Sequence, residues 1–595
     1  MKGITVFGRK LTSLLVSAVL VVSCSTGYYY LNQANANLKP VLPPLAAQRN
    51  LQDWLSSSAV RLMDNEPLFH LGVVTEIYHR TEYKLLWLRN YELSNAGKLL
   101  LRQLQETSAD NLIEYNYHLA YIQQRLFNLP TRPKEATALD ILLTDAFISY
   151  AEDVLSNKLT PEYIAQGPSQ TSGGLRNVNF TSDLMYNPHT EHQNIISLVT
   201  EEPNQSGLAS MLSTMHPKHK GYLKLRDALE RYQAIAASSQ WRPVADGPKL
   251  KVGDHDPQVA QLRNLLTLYA DYPLPKSSSL FAWLAGGNSE ETLTDPELFD
   301  AALADGLKHF QQRHGKPQTG ILDQSTRDLL NVPPSQRIKQ LSYNMKRWRE
   351  LPADLGERYI WVNMTDFHLN VIHKEHSIMS MKVIVGKSSR RTPVMHESIN
   401  SVVLNPPWNV PRRIMIYDIL PQARKDPNYL AERNIRVLDG WTETKEIPPD
   451  QLDLRSMPLS QFPYRLQQDP GADNALGAVK FVIPNDYSIY LHDTNHRDLF
   501  SRDFRALSSG CIRVEKPLEL AELLLKGKRG WDRRHIDEVI ASGETTYVRL
   551  PEDVPTYLLY WTAWVDDDGA VHFSDDIYAL DKMITQKTDF EALAL

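Results

Sequence analysis

The chain contains 595 residues, of which 42% are hydrophobic and 23% are charged, and its formal net charge is −6 at pH 7. At about 100–200 residues per domain, this length predicts about three to five domains, and the composition is that of ordinary globular proteins. The weakly acidic balance gives no support for nucleic-acid binding through bulk charge.

The N-terminus has the layout of an export signal. Basic residues precede an apolar run from Leu11 to Val22, which is too short for a comfortable membrane span. A small residue precedes Cys24, as in the bacterial lipobox, so we expect Cys24 to be lipidated and to tether the chain to a membrane. A retained signal anchor and cleavage after "ANA" at 34–36 remain alternatives. All three predict that the bulk of the chain lies outside the cytoplasm.

Residues 45–245 are mainly helical in pattern. Apolar positions between Leu139 and Leu155 recur at three- and four-residue steps, which predicts one continuous helical face. His118 and His192 are interpreted as surface or core residues rather than ligands. This region contains no catalytic motif, and we interpret it as a helical scaffold.

Residues 248–333 predict a small helical module, with two short helices around a turn, Phe310 in its core and Gly320 at a tight bend. The opening "LKVGDHDPQVAQLRNLL" and the close "FQQRHGKPQTGILDQST" resemble the type-one peptidoglycan-binding domain. The long Ser/Gly-rich stretch between them is interpreted as an inserted loop, and it leaves open whether the binding groove is accessible.

From about residue 356 the apolar period changes to two, which predicts strands. A Lys-Glu-His turn is expected to join two of them, and "WVDDDGAVHF" near the C-terminus predicts a hairpin around Asp-Gly rather than a calcium loop. Residues 412–478 interrupt the strands, are rich in Arg, Asp and Pro, and carry amphipathic pieces of their own. An insertion of this kind in a compact domain predicts a lid.

One of the two cysteines in the chain, Cys511, lies in "SSGCIRV", nineteen residues after His492 at the end of a strand candidate. With Cys24 in the export segment, Cys511 has no intrachain disulfide partner. A histidine and nearby backbone N–H groups lower the pKa of a cysteine nucleophile. Gly510 permits a turn that directs such N–H groups at a developing oxyanion.

The residues alone leave three interpretations of this pattern open. The first is a Cys/His acyl-transfer pair. The second is a zinc site made of His492, Asp493, His496 and Cys511, although it lacks the paired spacing of closed structural sites. The third is an inert buried cysteine beside a surface histidine.

The motif "HDT…SSGCIRV" resembles the signature of the L,D-transpeptidase (YkuD-type) catalytic domain. Upstream, "VIVGKSSRRTPVM", "LNPPWNVP" and "PGADNALGAVKFVIPN" are similar to blocks of the large periplasmic L,D-transpeptidases, and "TYLLYWTAWVDDDGAVHFSDDIYALD" is similar to their C-terminal extension. The resemblance covers nearly the whole mature chain and favours the acyl-transfer interpretation.

The resemblance implies that Cys511 is the nucleophile, that His492 is its general base, and that the N–H groups of Gly510 and Cys511 help to form an oxyanion hole. Ser509 stands where many members have histidine, so any role of that second histidine is absent here or is performed elsewhere.

Further residues receive implied roles in the same way. Arg513 matches the family's arginine, either as a group that holds a substrate carboxylate or as a partner in a structural ion pair. Trp408 is expected to line the cleft or to belong to the core. His496 is the alternative base.

The implied fold is multidomain α+β, with a mostly β, sandwich-like catalytic domain. The predicted segments are an export signal or anchor at 1–36, a helical scaffold at 45–245, a peptidoglycan-binding domain at 248–335, a catalytic domain at 356–550 with a capping insertion at 412–478, and a C-terminal extension at 551–595.

The implied reaction joins peptidoglycan stems through 3→3 crosslinks. Tetrapeptide stems would serve as donor and acceptor, and no metal or organic cofactor is required. The implied location is the periplasm of a Gram-negative bacterium, where other cell-wall synthesis enzymes are conceivable partners. Attachment of stems to an outer-membrane lipoprotein and hydrolysis by water, as in a carboxypeptidase or endopeptidase, remain alternatives. A binding or scaffold protein with a decayed catalytic domain is a further alternative, which the intact His492–Cys511 pair disfavours.

Overall fold

The structure is a computed structural model. It describes residues 44–56, 62–109, 117–155, 219–272, 295–440 and 445–584, with short gaps in several of these ranges, and a few positions between 195 and 212. The predicted export segment with Cys24, His192 and most of the loop in the small helical module lie outside the described residues. No helix in the described ranges is long and apolar enough to cross a membrane.

The chain divides into two compact units, the first of which contains most of the described residues before 214. It is helical, with two short hairpins, as the sequence predicts for the scaffold. The helices are α1 (Pro44–Ser56), α2 (Leu71–Arg80), α3 (Asn95–Ala109), α4 (Leu119–Asn128) and α5 (Glu135–Leu155), and the strands are β1 (Leu62–Met63), β2 (Glu66–Pro67), β3 (Leu88–Arg89) and β4 (Glu92–Leu93).

Two buried carboxylates on helix α5 organise the core of this first unit. Asp140 accepts hydrogen bonds from the backbone N–H groups of Leu86 and Trp87 at 2.9 and 2.8 Å. Asp145 accepts one from Nε2 of His118 at 2.7 Å, and both side chains are fully buried. His118 is therefore a core residue, which agrees with one of the two interpretations drawn from the sequence.

From residue 219 onward, five helices are described in the second unit before its sheet. They are α6 (Lys220–Ala237), α7 (Gln258–Leu268), α8 (Ala301–Arg313), α9 (Gln324–Leu330) and α10 (Pro334–Arg349). Helix α6, which the sequence analysis placed in the scaffold, packs on α10 in this unit. The packing requires Gly221, because a Cβ at this position would lie 2.2 Å from Trp348.

Helices α7 to α9 form the small module that the sequence predicts. Phe310 is buried in its core, and Gly320 adopts φ +64° at the bend between α8 and α9. Both predictions are confirmed. Asp300 and Asp323 cap α8 and α9 by accepting hydrogen bonds from the N–H groups three residues on, which fixes the helix starts.

A nine-stranded sheet forms the centre of the second unit, in the order β15-β7-β16-β14-β13-β8-β17-β5-β6. Its strands are β5 (Arg358–Asn363), β6 (His368–His373), β7 (His376–Gly386), β8 (Met395–Leu404), β13 (Val479–Val482), β14 (Leu491–His492), β15 (Ala506–Ser508), β16 (Ile512–Val514) and β17 (Thr546–Leu559). The turn between β6 and β7 is the predicted one, with Lys374 and Glu375 at φ +49° and +66°.

The sheet closes on itself through strand β7. Its first part pairs with β6, and its last part pairs with β16 and β15. The resemblance implied a sandwich-like domain, whereas this sheet curls around a single apolar core. The long strand β7 explains the difference, because different parts of it pair with β6, β16 and β15. Helices α13 (Pro517–Leu525) and α14 (Arg533–Ser542) lie between β16 and β17 in the chain and contribute to the same core.

Residues between β8 and β13 form an insertion with its own apolar core and its own four-stranded sheet, in the order β11-β10-β12-β9. We call residues 412–478 the capping insertion. The elements of this region are β9 (Trp408–Asn409), α11 (Arg412–Ile414), a π-helical turn (Met415–Ile419), α12 (Leu420–Lys425), β10 (Ile435–Asp439), β11 (Lys445–Glu446) and β12 (Arg465–Gln468).

The C-terminal hairpin consists of β18 (Ala563–Val565) and β19 (Val571–Phe573) and confirms the hairpin predicted around Asp-Gly. It packs against the small helical module rather than standing alone. The ring of Phe573 stacks with His314 of the module at 5.7 Å between centroids, and the guanidinium of Arg337 lies 4.4 Å from its centroid. The module, helix α10 and this hairpin therefore share one apolar core.

Candidate active site

Cys511 follows a tight turn between strands β15 and β16. Gly510 adopts φ +124°, a conformation that side chains rarely allow, and a Cβ there would lie 3.2 Å from Ile489. Ser508 fixes the turn, since its hydroxyl donates to the carbonyl of Cys511 at 2.6 Å and accepts from the N–H of Gly510 at 3.1 Å. We call Ser508–Cys511 the nucleophile turn. The N–H of Gly510 is thus already hydrogen-bonded, and Ser508 would have to release it before it could bind an oxyanion.

The register of two parallel strands brings His492 to the same face as Cys511. Strands β14 and β16 pair Leu491 with Ile512 and His492 with Arg513. Leu491 and Ile512 point into the apolar core. Because side chains alternate along a strand, His492 and Arg513 lie on the opposite face, and Cys511, directly before β16, is on the side of Arg513 while still packing partly against the core.

The imidazole of His492 is held in a defined tautomer. It is buried, and its Nδ1 bonds the carbonyl oxygen of Asp493, which can only accept. Nδ1 therefore carries the proton, and Nε2 keeps its lone pair. Burial, followed by the charges of Arg513 and Lys480, lowers the pKa of His492 to about 3. The ring is thus neutral at pH 7 and able to accept a proton.

The Cys511 side chain is a thiol rather than a thiolate. Burial raises its pKa above the ordinary value, and hydrogen bonds from Tyr490 with the charges of Lys480 and Arg513 oppose that rise. Its Sγ lies 3.7 Å from the carbonyl oxygen of Ser488. The thiol of Cys511 and the imidazole of His492 are therefore both in their neutral forms.

Two cations face this pair. Lys480 is opposite His492 in the antiparallel β13–β14 pairing, and its Nζ lies 4.0 Å from the ring centroid of Tyr490. Burial lowers the pKa of Lys480 and of Arg513, and Nε of Arg513 is buried without a hydrogen-bond partner. Neither cation forms an ion pair within the described part of the chain, so the structural ion pair considered for Arg513 is not observed.

A cleft of about 660 Å³ lies next to this site, between the sheet and the capping insertion. Lys480, Ser488 and Tyr490 line the side of the sheet. Residues on the other side include Met415, Tyr464 and Arg465 of the insertion. Tyr490 and Ser488, which line the cleft, are also neighbours of Cys511.

The other residues predicted from the sequence, Trp408, Ser509 and His496, lie around this site. Trp408 is half-buried, packs on the core of the insertion and hydrogen-bonds the hydroxyl of Tyr490. The hydroxyl of Ser509 accepts from Nη1 of Arg390 at 2.9 Å. His496 is exposed beyond β14.

The zinc interpretation receives no support from the geometry. Asp493 pairs with Arg497 at 2.6 Å and accepts from the N–H of Ala478 at 2.9 Å, so both carboxylate oxygens are engaged. No group of three potential metal ligands occurs in the ranges that the structure describes.

Sequence reasoning missed Lys480 and Tyr490. The alternation in "VKFVIP" and "SIYLHDT" carries a signal for both, because Phe481 and Leu491 point inward and their neighbours must point outward. The missing information was the pairing of the strands, which sets these outward residues beside Cys511.

Comparisons with known proteins assign this region. Residues 357–536 match the model described as the L,D-transpeptidase catalytic domain (YkuD), and both Cys511 and His492 lie inside the match. The chain carries an L,D-transpeptidase catalytic domain. Residues 72–229 match a scaffold domain, and residues 284–330 match a domain described as "Putative peptidoglycan binding domain". The L,D-transpeptidase domain is thus a β-rich C-terminal domain that follows a scaffold and a peptidoglycan-binding module.

A curated relative from Haemophilus influenzae bears the name "Putative L,D-transpeptidase". It is 42% identical over 256 residues, which are 42% of this chain. The match spans about half of that relative's length, 51%. A solved structure from Clostridium acetobutylicum, of a fused Zn-dependent amidase/peptidase/peptidoglycan-binding domain-containing protein, is 10% identical. It covers 53% of this chain and 100% of its own, and its TM-score of 0.15 is too low to inform the fold.

Proposed function

We propose that the protein is an L,D-transpeptidase that forms 3→3 crosslinks between peptidoglycan stems through an acyl-enzyme on Cys511. The observation that carries this proposal is the pairing of a neutral His492, whose Nε2 is unprotonated, with a thiol on the same face of the sheet. The cleft of about 660 Å³ lined by Lys480, Ser488 and Tyr490, which adjoin the pair, would receive the peptide.

In the first half-reaction, Nε2 of His492 takes the thiol proton as the sulfur of Cys511 attacks the carbonyl carbon of the third stem residue. The tetrahedral oxyanion is stabilised by the N–H of Cys511, and by that of Gly510 once Ser508 releases it. The imidazolium then gives its proton to the amine of the terminal D-alanine. The peptide bond breaks, D-alanine leaves, and a thioester remains.

In the second half-reaction, the side-chain amine of a second stem attacks the thioester. His492 removes the proton of this amine and returns it to the sulfur, so that one base serves both steps. An amine outcompetes water for the thioester only if it is held close to the thioester carbon. Groups held in this way react as though they were present at about 10⁵ M. The peptidoglycan-binding module and the capping insertion are the parts of the chain that could hold it and limit the access of water.

Lys480 and Arg513 have two proposed roles in this scheme. Their charges add to burial, the larger cause, in keeping His492 unprotonated, and they favour the thiolate as it forms. Arg513 would also hold a carboxylate of the stem, since it lacks an acidic partner in the described structure and Nε is buried without a hydrogen bond.

We further propose that the chain is exported and lipidated at Cys24, which would hold the enzyme at a membrane facing the periplasmic wall. The basic start, the apolar run and the small residue before Cys24 support this. We expect Cys24→Ala to lose detergent-phase partitioning. A mature N-terminus at Asn37 would contradict lipidation.

Incubation of the purified protein with tetrapeptide stems, followed by mass spectrometry of the products, tests the reaction. We expect 3→3 dimers and free D-alanine, both absent with Cys511→Ala. Tripeptide monomers as the main product, with acceptor amines abundant, would establish a carboxypeptidase instead. Stems joined to an added lipoprotein, without dimers, would establish the attachment reaction.

A further inference from the structure

The side chain of Arg390 joins three segments that are distant in sequence. It lies in the loop after β7, and its Nη1 donates to the hydroxyl of Ser509 in the nucleophile turn at 2.9 Å. The same guanidinium forms a two-pronged pair with Asp418 of the capping insertion, through Nη1 to Oδ2 and through Nη2 to Oδ1 at 2.9 Å. Such bidentate pairs fix geometry as well as contribute energy.

The loop that carries Arg390 is anchored to the nucleophile turn. Thr392 accepts from the N–H of Gly386 at 2.9 Å and donates its hydroxyl hydrogen to the carbonyl of Gly510 at 2.6 Å. The N–H of Lys387 donates to the carbonyl of Ser508 at 3.0 Å. Arg390 therefore projects from a base that is fixed relative to the turn.

Asp418 belongs to a different packing unit. It lies in the π-helical turn Met415–Ile419, whose Met415 and Ile419 are buried in the separate core of the insertion. A π-helical turn is uncommon and often marks a functional position. The Arg390–Asp418 pair is thus a bridge between the core of the insertion and the loop beside the nucleophile.

This bridge is suited to opening and closing. The Arg390 side chain is 10% exposed, whereas the Asp418 side chain is 42% exposed, so water can replace the arginine around the carboxylate. A second, longer contact joins the insertion to the same loop, from Nη2 of Arg413 to the carbonyl of Ser389 at 3.3 Å. The insertion therefore touches the Arg390 loop through few polar contacts.

We propose that Arg390 is a positioning residue that couples closure of the capping insertion to the placement of the nucleophile turn. When the pair with Asp418 forms, the insertion closes over the cleft and Ser509 is held. When the pair breaks, the insertion opens and the turn loosens. This inference rests on the proposed function, which gives Cys511 its role as nucleophile.

The test uses the full chain and compares Asp418→Asn with Asp469→Asn. Asp469 pairs with Arg436 inside the insertion, and its side chain is 38% exposed, close to the 42% of Asp418, so it serves as the control. The readouts are hydrogen exchange of peptides 412–425 and 505–512, and alkylation of Cys511 by iodoacetamide followed by peptide mass spectrometry. We expect Asp418→Asn to raise all three rates by about fivefold, the change that one partly exposed pair supports, and Asp469→Asn to change none.

Two further variants separate coupling from simple destabilisation. Ser509→Ala keeps the Arg390–Asp418 pair, so only the exchange of peptide 505–512 is expected to rise. The double variant Arg390→Asp with Asp418→Arg restores a pair of opposite charges, so protection of peptide 412–425 is expected to recover. Unfolding temperatures identify a variant that fails globally.

The proposal is wrong if Asp418→Asn and Asp469→Asn behave alike, or if Ser509→Ala leaves the turn unchanged. These readouts need neither a stem peptide nor crosslinking. They therefore distinguish failure of this inference from failure of the proposed reaction.

Discussion

The His492–Cys511 pair is a neutral pair in a buried, positively charged setting. The pKa of His492 is lowered to about 3 and that of the Cys511 thiol is raised, with burial the largest cause in both. If His492 is the base of the proposed reaction, we expect this thiol to react slowly with general alkylating agents and faster with an acyl donor that is bound where His492 can take the proton.

Acylation by a carbapenem-type β-lactam should occur at Cys511. A strained lactam places its carbonyl at the sulfur as a stem would, and we expect one adduct by intact mass. Cys511→Ala should abolish the adduct, whereas Cys24→Ala should retain it. An adduct that persists in Cys511→Ala would show that another nucleophile reacts.

The acid limb of this acylation should lie well below neutral pH. Since the folded pKa of His492 is about 3, protonation of the base should not slow the reaction between pH 7 and 5. Arg513→Met removes the larger of the two charge contributions and should move the acid limb to higher pH. Lys526→Met, at an exposed lysine, is the control. A wild-type midpoint near the ordinary histidine pKa of about 6.5 would contradict the assignment.

The same pKa has a consequence for stability. Between about pH 6.5 and about pH 3, His492 is protonated in the unfolded chain and neutral in the folded chain. The contribution of this residue to the free energy of unfolding is therefore present above that window and is lost as the pH falls through it.

At the scale of elements, the capping insertion is an independently packed piece within a closed sheet. Its apolar core contains Val437, Phe462 and Leu466, none of which belongs to the core of the sheet. The sheet strands that flank it, β8 and β13, pair directly with each other. The two cores therefore share no buried side chains.

Replacement of 412–478 by a short linker should leave the sheet folded and impair turnover. The strands β8 and β13 remain antiparallel neighbours, so the connection can be shortened, while the cleft loses one wall. Circular dichroism and thermal unfolding report the fold, and dimer formation reports turnover. Unchanged turnover in a folded deletion would show that the insertion is not needed.

The sequence predicted the local parts of this site better than its long-range parts. The turn around Gly510 and the strand that ends at His492 are contiguous motifs, so they were readable. Lys480 and Tyr490 required the strand order, and the Arg390–Asp418 pair required the position of an inserted unit. Register and docking are set by tertiary packing, which no window of sequence contains.

At the scale of the second unit, the C-terminal hairpin ties the peptidoglycan-binding module to the L,D-transpeptidase domain. Phe573 is 2% exposed and contacts Tyr232, His314 and Arg337. The backbone carbonyl of Val571 accepts from Nη1 of Arg313 at 2.9 Å. The module is therefore fixed to the domain by packing and by buried polar bonds.

Phe573→Ala should lower the free energy of unfolding of the second unit by about 3–5 kcal/mol, the usual cost of deleting a buried phenyl ring. Thermal unfolding measures the change, and hydrogen exchange in α8 should rise with it. Phe504→Ala, at a ring that is 54% exposed, is the control. Equal effects of the two substitutions would refute the role of the hairpin.

The shared core also constrains the order in which the chain can fold during its synthesis. Tyr222 and Phe573 complete the same core, although nearly the whole second unit separates them in sequence. The core around helix α6 and the module is therefore complete only after residues 563–573 have been made. Contacts of such long range form slowly, and partly folded chains that await them are exposed to aggregation.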